Sequence, residues 1–355
     1  MCKSHTFLKM TSLAETTTTL PLIGFGTMEY VDGTHQIDEM TQITTNALTH
    51  GYKLLDCAEL YESTVAVGKA IAQQSNHDDL MIISKLRGMP IETNQIELLE
   101  RVNKHLAALQ VPVVDVLLMH WPGPSSCDLS GEPSAITEQA TMKWFVNNIE
   151  QAWRNMVWLQ EQGVCHQIGV SNCYRKHLDI ILSICQQLHL PPPTINEIFI
   201  DPCHPENSLV HFCQKNGLHV VAYRPLAFLP VIEMAAQMGD GTHAMLLALA
   251  STQDCSPHSV VLAWLASRGV TALVKTSDEG HLATNLAASS SSSTFVVGVD
   301  DGDGGGGGGT EETLEGIPAI LEKFGPSEMV AMCGGTDPYA DAFRDIAEAA
   351  SAIET

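Results

Sequence analysis

The chain is expected to fold as a closed (β/α)8 TIM barrel with a low-complexity, acidic C-terminal extension. Three observations point there. Short apolar runs alternate with segments of helical period, which implies a parallel sheet. There are eight such runs, and they fit within about 260 residues, the usual size of a closed barrel. Most of the runs end, at their C-terminal side, in a residue with chemistry to offer. An open, doubly wound sheet is the alternative fold, but it calls for fewer strands and a glycine-rich phosphate loop that the sequence lacks.

The elements follow in order. Pro21 to Thr27 reads as a first strand closing on a glycine turn, and it is no dinucleotide fingerprint because GxGxxG does not continue. Thr34 to His50 has helical spacing and is stopped by Gly51. Lys53 to Cys57 is an apolar run carrying Asp56, with Tyr61 five residues further on and a helical pattern from Thr64 to Gln74. Leu80 to Lys85 is a third strand, Ile91 to Leu109 a long amphipathic helix, and Val113 to His120 a fourth strand broken by Trp121-Pro122-Gly123. Pro124 to Pro133 reads as a polar loop, and the helix from Ala140 to Gln162 is closed by Gly163.

Gln167 to Val170 is a fifth strand ending in Ser171-Asn172, and a helix follows from Lys176 to Leu188. Three prolines, Pro191 to Pro193, force an extended entry into the sixth strand, Thr194 to Ile198. Glu206 to Asn216 is helical and His219 to Tyr223 is the seventh strand. Met245 to Thr252 and Pro257 to Ser267 are helical, and Val270 to Lys275 is the eighth strand. The expected division is an N-terminal extension at 1–19, a barrel at 20–286, and a Ser/Gly-rich linker with an acidic tail at 287–355. The runs Ser289 to Ser293 and Gly304 to Gly309 read as linker, with room for short helices at Leu314 to Phe324 and Tyr339 to Ala350.

Composition narrows the function. A net charge of −23 over 355 residues argues against nucleic acid or an anionic membrane as partner. Residues 286–355 hold 13 acids and 2 bases, so nearly half of that charge sits in the tail. No apolar run reaches the roughly 18 residues needed to span a bilayer. Ten scattered cysteines without a CxxC read as reduced thiols, and without HExxH or paired-cysteine spacing no metal site is expected. The Ser/Thr-rich first 19 residues are not a secretory signal; a cytoplasmic protein is expected, with an organellar transit peptide left open.

In a closed barrel the C-terminal strand ends converge on one mouth, where such barrels place their active sites. Asp56, Lys85, His120, Ser171-Asn172, Glu197, Tyr223 and Lys275 all stand at such ends. The motifs LPLIGFGT, LLDCAELYES, ISKLRG, VDVLLMHWPG, IGVSNC, HVVAYRPLA and GVTALVKTSDEGHLATN, in this order and at these spacings, resemble the aldo-keto reductase family from about Pro21 to Asn285. The resemblance implies a catalytic tetrad, Asp56, Tyr61, Lys85 and His120, with all four residue types intact. It implies a nicotinamide cofactor, NADPH with NADH as the alternative, held by Gly26, Thr27, Ser171, Asn172, Glu197, Tyr223, Arg224, Leu226, Lys275, Thr276, His281 and Asn285. It also implies a small carbonyl substrate, and a monomer is expected.

The physical logic of such a tetrad is plain. Carbonyl reduction needs an acid for the developing alkoxide, and a Tyr is a poor acid at neutral pH. A cationic Lys85 is expected to lower the Tyr61 pKa, Asp56 to hold that ammonium, and His120 to donate to the carbonyl oxygen. Three residues depart from the family pattern. Glu197 stands where a carboxamide-binding Gln is usual, Arg224 where Ser is usual, and His281 where an Arg for the 2′-phosphate is common. Two opposite charges at adjacent strand ends suggest an ion pair between Glu197 and Arg224 beside the nicotinamide. These departures keep a second reading open: a non-catalytic barrel that binds the cofactor as a regulatory subunit.

Overall fold

The computed structural model describes residues 20–28, 34–74, 79–123, 138–229, 246–247, 250–251 and 255–290. The expected N-terminal extension, the loop at 124–133 and the helices at 314–324 and 339–350 lie outside them, as does half of the helix expected at 245–252. The described elements alternate strictly. They are β1 (Ile23–Gly26), α1 (Thr34–Thr49), β2 (Leu54–Asp56), α2 (Thr64–Ala72), β3 (Met81–Leu86), α3 (Gln95–Leu109), β4 (Val114–Met119) and α4 (Glu138–Glu161). The second half comprises β5 (Cys165–Ser171), α5 (Arg175–Leu188), β6 (Ile195–Phe199), α6 (Asn207–Lys215), β7 (His219–Tyr223), α7 (Pro257–Ser267), β8 (Val270–Val274) and α8 (Glu279–Ser290). The strands form a closed barrel in sequence order, every neighbour parallel and β8 closing on β1.

All eight strands fall on the expected apolar runs. The fifth begins earlier, at Cys165, because Val164 and Cys165 pair with the start of β4. α8 was not expected. It packs on α7 and runs on to Ser290, taking in Ser289 and Ser290 of the serine run, and Ala288 within it is 2% exposed against the core.

Side-chain alternation along each strand splits the apolar residues into two shells. Leu55, Ile82, Leu117, Ile168, Ile198, Val220 and Val274 face outward into one large core beneath the helices. Leu54, Ile83, Val116, Leu118, Ile195, Val221 and Leu273 face inward and form a separate cluster that fills the barrel. Two inward glycines make the filling fit. A Cβ on Gly24 would lie 2.7 Å from Leu54 Cδ2 and 2.8 Å from Leu273 Cδ2. A Cβ on Gly169 would lie 2.7 Å from Leu118 Cδ2. Each leucine buried this way contributes about 1.5–3 kcal/mol.

The same alternation aims the site. Two residues beyond inward Leu54 comes Asp56, beyond Ile83 comes Lys85, beyond Leu118 comes His120, beyond Ile195 comes Glu197, and beyond Val221 comes Tyr223. The reactive side chains are therefore the next layer up on an apolar plug.

Candidate active site

Lys85, at the end of β3, is the centre of the layer and is 0% exposed. Its ammonium donates to Asp56 Oδ1 from β2, to the Cys57 carbonyl at 3.3 Å and to the Tyr61 hydroxyl at 3.1 Å. It also pairs with Glu197 Oε1 at 3.2 Å, reaching across the lumen to β6. Asp56 is held from behind: the Thr27 hydroxyl donates to its carbonyl at 2.7 Å, and Ser63 donates to the Thr27 carbonyl at 2.6 Å. Tyr61 is brought over Lys85 by the turn between β2 and α2, closed by Tyr61 N on Ala58 O and Thr64 Oγ1 on Tyr61 O.

His120 meets the Tyr61 ring edge-on, with centroids 5.9 Å apart. Trp121 stacks on the imidazole, with centroids 5.6 Å apart and 13° between the planes. Trp121, expected only to break the fourth strand, thus supports His120; an aromatic directly after a strand-end histidine is the signal for it. His120 also keeps an Nδ1 that is buried with no hydrogen-bond partner among the described residues.

The electrostatics follow from burial. Lys85 is disfavoured as a cation by desolvation, yet the Asp56 and Glu197 carboxylates outweigh that and lift its pKa well above the ordinary lysine value. Asp56 is pushed up by burial and pulled back by Lys85. Burial, and then Asp56, push the Glu197 carboxyl up to about 8, and Lys85 offsets this only in part. Burial, with Lys85 beside it, drives the His120 pKa well below the usual range, so the imidazole is neutral. It can give an N–H without bringing charge.

Tyr61 differs from expectation. Lys85 does pull its pKa down, but desolvation is larger and the two carboxylates add to it, so the phenol is raised overall. The expectation of a lowered pKa counted Lys85 and left out both the dry surroundings and Glu197.

The expected ion pair between Glu197 and Arg224 does not form, because Glu197 points inward and pairs with Lys85. Arg224 lies one residue beyond inward-facing Tyr223, in a left-handed conformation (φ 52°) with its side chain exposed. Parity separates the two residues although their strands are adjacent.

The remaining expected cofactor residues form two groups. Ser171, Asn172 and Tyr223 tie the strand ends together. Ser171 Oγ donates to the Glu197 carbonyl at 2.9 Å, and Asn172 Nδ2 donates to the His120 carbonyl at 3.0 Å. Tyr223 donates to Asn172 Oδ1 at 2.8 Å. Asn172 makes these bonds from a left-handed backbone (φ 57°). Gly26 closes β1 beside Asp56, its register partner on β2. Leu226 is partly buried against the outer core.

The second group lies on the β8 rim, away from this layer. Lys275 donates to the Met28 carbonyl at 2.8 Å, Thr276 Oγ1 accepts from Asp278 N at 3.1 Å, and His281 N donates to Asp278 Oδ1 at 2.9 Å. His281 is exposed, with its ring stacked on His258 at 5.7 Å. Asn285 stands apart from both groups: it is buried on α8 beside Tyr52, which precedes β2.

A nicotinamide fits what the layer offers. Glu197 Oε2 is buried and meets no hydrogen-bond donor among the described residues, so it can accept from a carboxamide N–H when ionised and donate to the carboxamide oxygen when protonated. The half-buried Tyr223 ring faces the same lumen. Among the described residues no group of three or more His, Cys, Asp or Glu side chains could hold a metal ion, and no helix is long and apolar enough to cross a membrane.

Comparison with known proteins shows the fold and the family. The barrel superimposes on that of a Bombyx mori aldo-keto reductase solved with NADP, with a TM-score of 0.63 at 23% identity over 85% of this chain and 89% of that one. In sequence the chain is similar to an aldo/keto reductase of Synechocystis, 27% identical over 76% of this chain and 81% of the relative. It is likewise 27% identical to the D-galacturonate reductase of Hypocrea jecorina, over 75% of this chain and 82% of that protein. The Aldo/keto reductase family model matches residues 22–294. With that span covering every strand of the barrel and the layer of reactive side chains above its plug, the chain belongs to the aldo/keto reductase family.

Proposed function

We propose that this chain reduces an aldehyde or ketone to an alcohol with NADPH, using Tyr61 as general acid. The observation that carries the reading is the Tyr61 hydroxyl 3.1 Å from a buried Lys85 ammonium that Asp56 holds, beside a neutral His120. The nicotinamide, when bound, supplies the hydride that reaches the carbonyl carbon. Tyr61 delivers the proton to the carbonyl oxygen, and Lys85 stabilises the phenolate left behind. His120 donates an N–H to the same oxygen and, with Trp121 against its face, fixes the substrate's direction of approach. A raised Tyr61 pKa keeps the phenol protonated through the neutral range, which suits the reductive direction. Ser171, Asn172, Glu197 and Tyr223 would hold the nicotinamide, and Lys275, Thr276, His281 and Asn285 the adenosine end.

That solved relatives carry NADP or NADPH supports this choice of cofactor. The setting proposed is a cytoplasmic monomer. The test is loss of NADPH absorbance with a panel of aldehydes and ketones. A protein that binds NADPH and turns over none of them would instead fit a non-catalytic cofactor-binding subunit.

A further inference from the structure

The layer holds one carboxylate more than one ammonium can neutralise. Asp56 from β2 and Glu197 from β6 both lie against Lys85, with the Tyr61 hydroxyl as a third acidic group on the same cation. Asp56 has further support from the Thr27 and Ser63 network behind its main chain. Glu197 has none comparable: one oxygen meets Lys85, the other meets no hydrogen-bond donor among the described residues, and the side chain is 2% exposed. Burial raises both carboxyls, but the hydrogen bond that they share lowers Asp56 and raises Glu197, so Glu197 is the one that carries the proton. A second unpaired carboxylate in so dry a place is costly, and a proton removes the cost.

We propose that Glu197 is a proton switch that ties the redox state of the bound nicotinamide to pH: protonated, it leaves the site neutral and suited to the reduced ring; ionised, it faces and favours the oxidised, cationic ring. This rests on the nicotinamide site proposed above. Binding of the oxidised cofactor expels one proton from Glu197 to solvent. Binding of the reduced cofactor, whose ring is neutral, does not. The range in which the switch works is set by the groups around it. Asp56, Tyr61 and Lys85 face Glu197 from β2, its turn and β3, and neutral His120 stands at the end of β4. Its strand neighbours, Ser171 on β5 and Val221 on β7, do not titrate. With the carboxyl lifted to about 8, neutral pH lies on the protonated side.

The test measures NADP+ and NADPH affinities on the full chain by titration calorimetry, from pH about 6.5 to about 9.5, for the wild type and Glu197→Gln. The ratio of the two affinities cancels whatever the 2′-phosphate and the rim contribute, since both forms carry the same phosphate. In the wild type the ratio should shift towards NADP+ with rising pH, by up to about tenfold per pH unit below the Glu197 pKa. Calorimetry in buffers of different ionisation heat should show close to one proton released per NADP+ bound near neutrality and none per NADPH. Glu197→Gln, of the same shape, should bind both forms with a flat ratio and no proton release. In the cofactor-free protein the infrared band of a protonated carboxyl should fade as pH passes through that range, and the variant should lack it. A flat wild-type ratio, or the same slope in the variant, overturns the switch alone. A protein that binds neither cofactor overturns the function proposed above together with the switch.

Discussion

The floor of the barrel mouth and its β8 rim handle charge in opposite ways. On the floor, Asp56, Lys85 and Glu197 meet within hydrogen-bond and ion-pair distance, all of them buried. On the rim, Lys275, Asp278, Glu279 and His281 are all exposed. Burial keeps the dielectric low on the floor, so single groups there shift each other's protonation. Exposed charges on the rim are screened and individually weak. On the proposed function, chemistry would sit where the dielectric is low, and cofactor selection where charge can be exchanged cheaply.

The sharpest way to break this contrast is Lys85→Met. It leaves two buried carboxylates and a phenol without their cation. Turnover should fall at least about a thousandfold, and stability should drop by roughly 3–5 kcal/mol, the usual result of removing one partner from a buried pair. Steady-state NADPH oxidation and urea unfolding read the two effects. Tyr61→Phe should separate them, with turnover down by about 10²–10⁴-fold while cofactor affinity and stability stay near the wild type. A Phe variant with most of its turnover would remove Tyr61 from the acid role.

The third prediction concerns pH. The Glu197 carboxyl is raised in the folded chain, so its contribution to stability is full below the ordinary carboxylate range and is lost as pH rises through about 8. Asp56, raised as well, has the same sign but is common to both proteins. Glu197→Gln should therefore unfold at higher urea than the wild type at pH 9 and lose that advantage by pH 5, at about 1.4 kcal/mol per pKa unit moved. An advantage independent of pH would mean that Glu197 does not titrate on folding.

Smaller effects belong to the edge and the rim. A chain ending at Asn285 severs α8 ahead of buried Ala288, whereas one ending at residue 294 keeps the helix and the whole family match. The shorter chain should be less stable by about 1–3 kcal/mol by thermal unfolding. Equal stability would show that the last turn of α8 adds nothing to packing. On the rim, His281→Arg offers a fixed cation with a bidentate fork to a 2′-phosphate. It should raise NADPH affinity relative to NADH by a few-fold, because exposed Asp278 and Glu279 at the start of α8 work against any larger gain. No change in that ratio would remove His281 from the cofactor site.

Most of the barrel was legible because its strands are short apolar runs between glycines and prolines, and one parity rule then aims Asp56, Lys85, His120 and Tyr223 into one lumen. The contact of Glu197 with Lys85 was not legible. It spans the barrel between β3 and β6, and only closure of the sheet brings those strands face to face. A pairing guess confined to adjacent strands instead matched Glu197 with Arg224, which the left-handed turn after Tyr223 carries outward. α8 was missed because Glu279 to Ser290 lacks a broad apolar stripe and ends in a serine run.

The apolar plug has a consequence for traffic. Leu54, Ile83, Leu118, Ile195 and Leu273 fill the lumen directly beneath the reactive layer, and Gly24 and Gly169 leave Leu54, Leu273 and Leu118 the room they occupy. The barrel is thus a cul-de-sac. The side chains of this plug carry no hydroxyl or ionisable group, so in the proposed reaction the proton that Tyr61 gives up would be replaced through the same opening that admits the carbonyl compound. Reloading the acid and releasing the alcohol are then sequential uses of a single doorway.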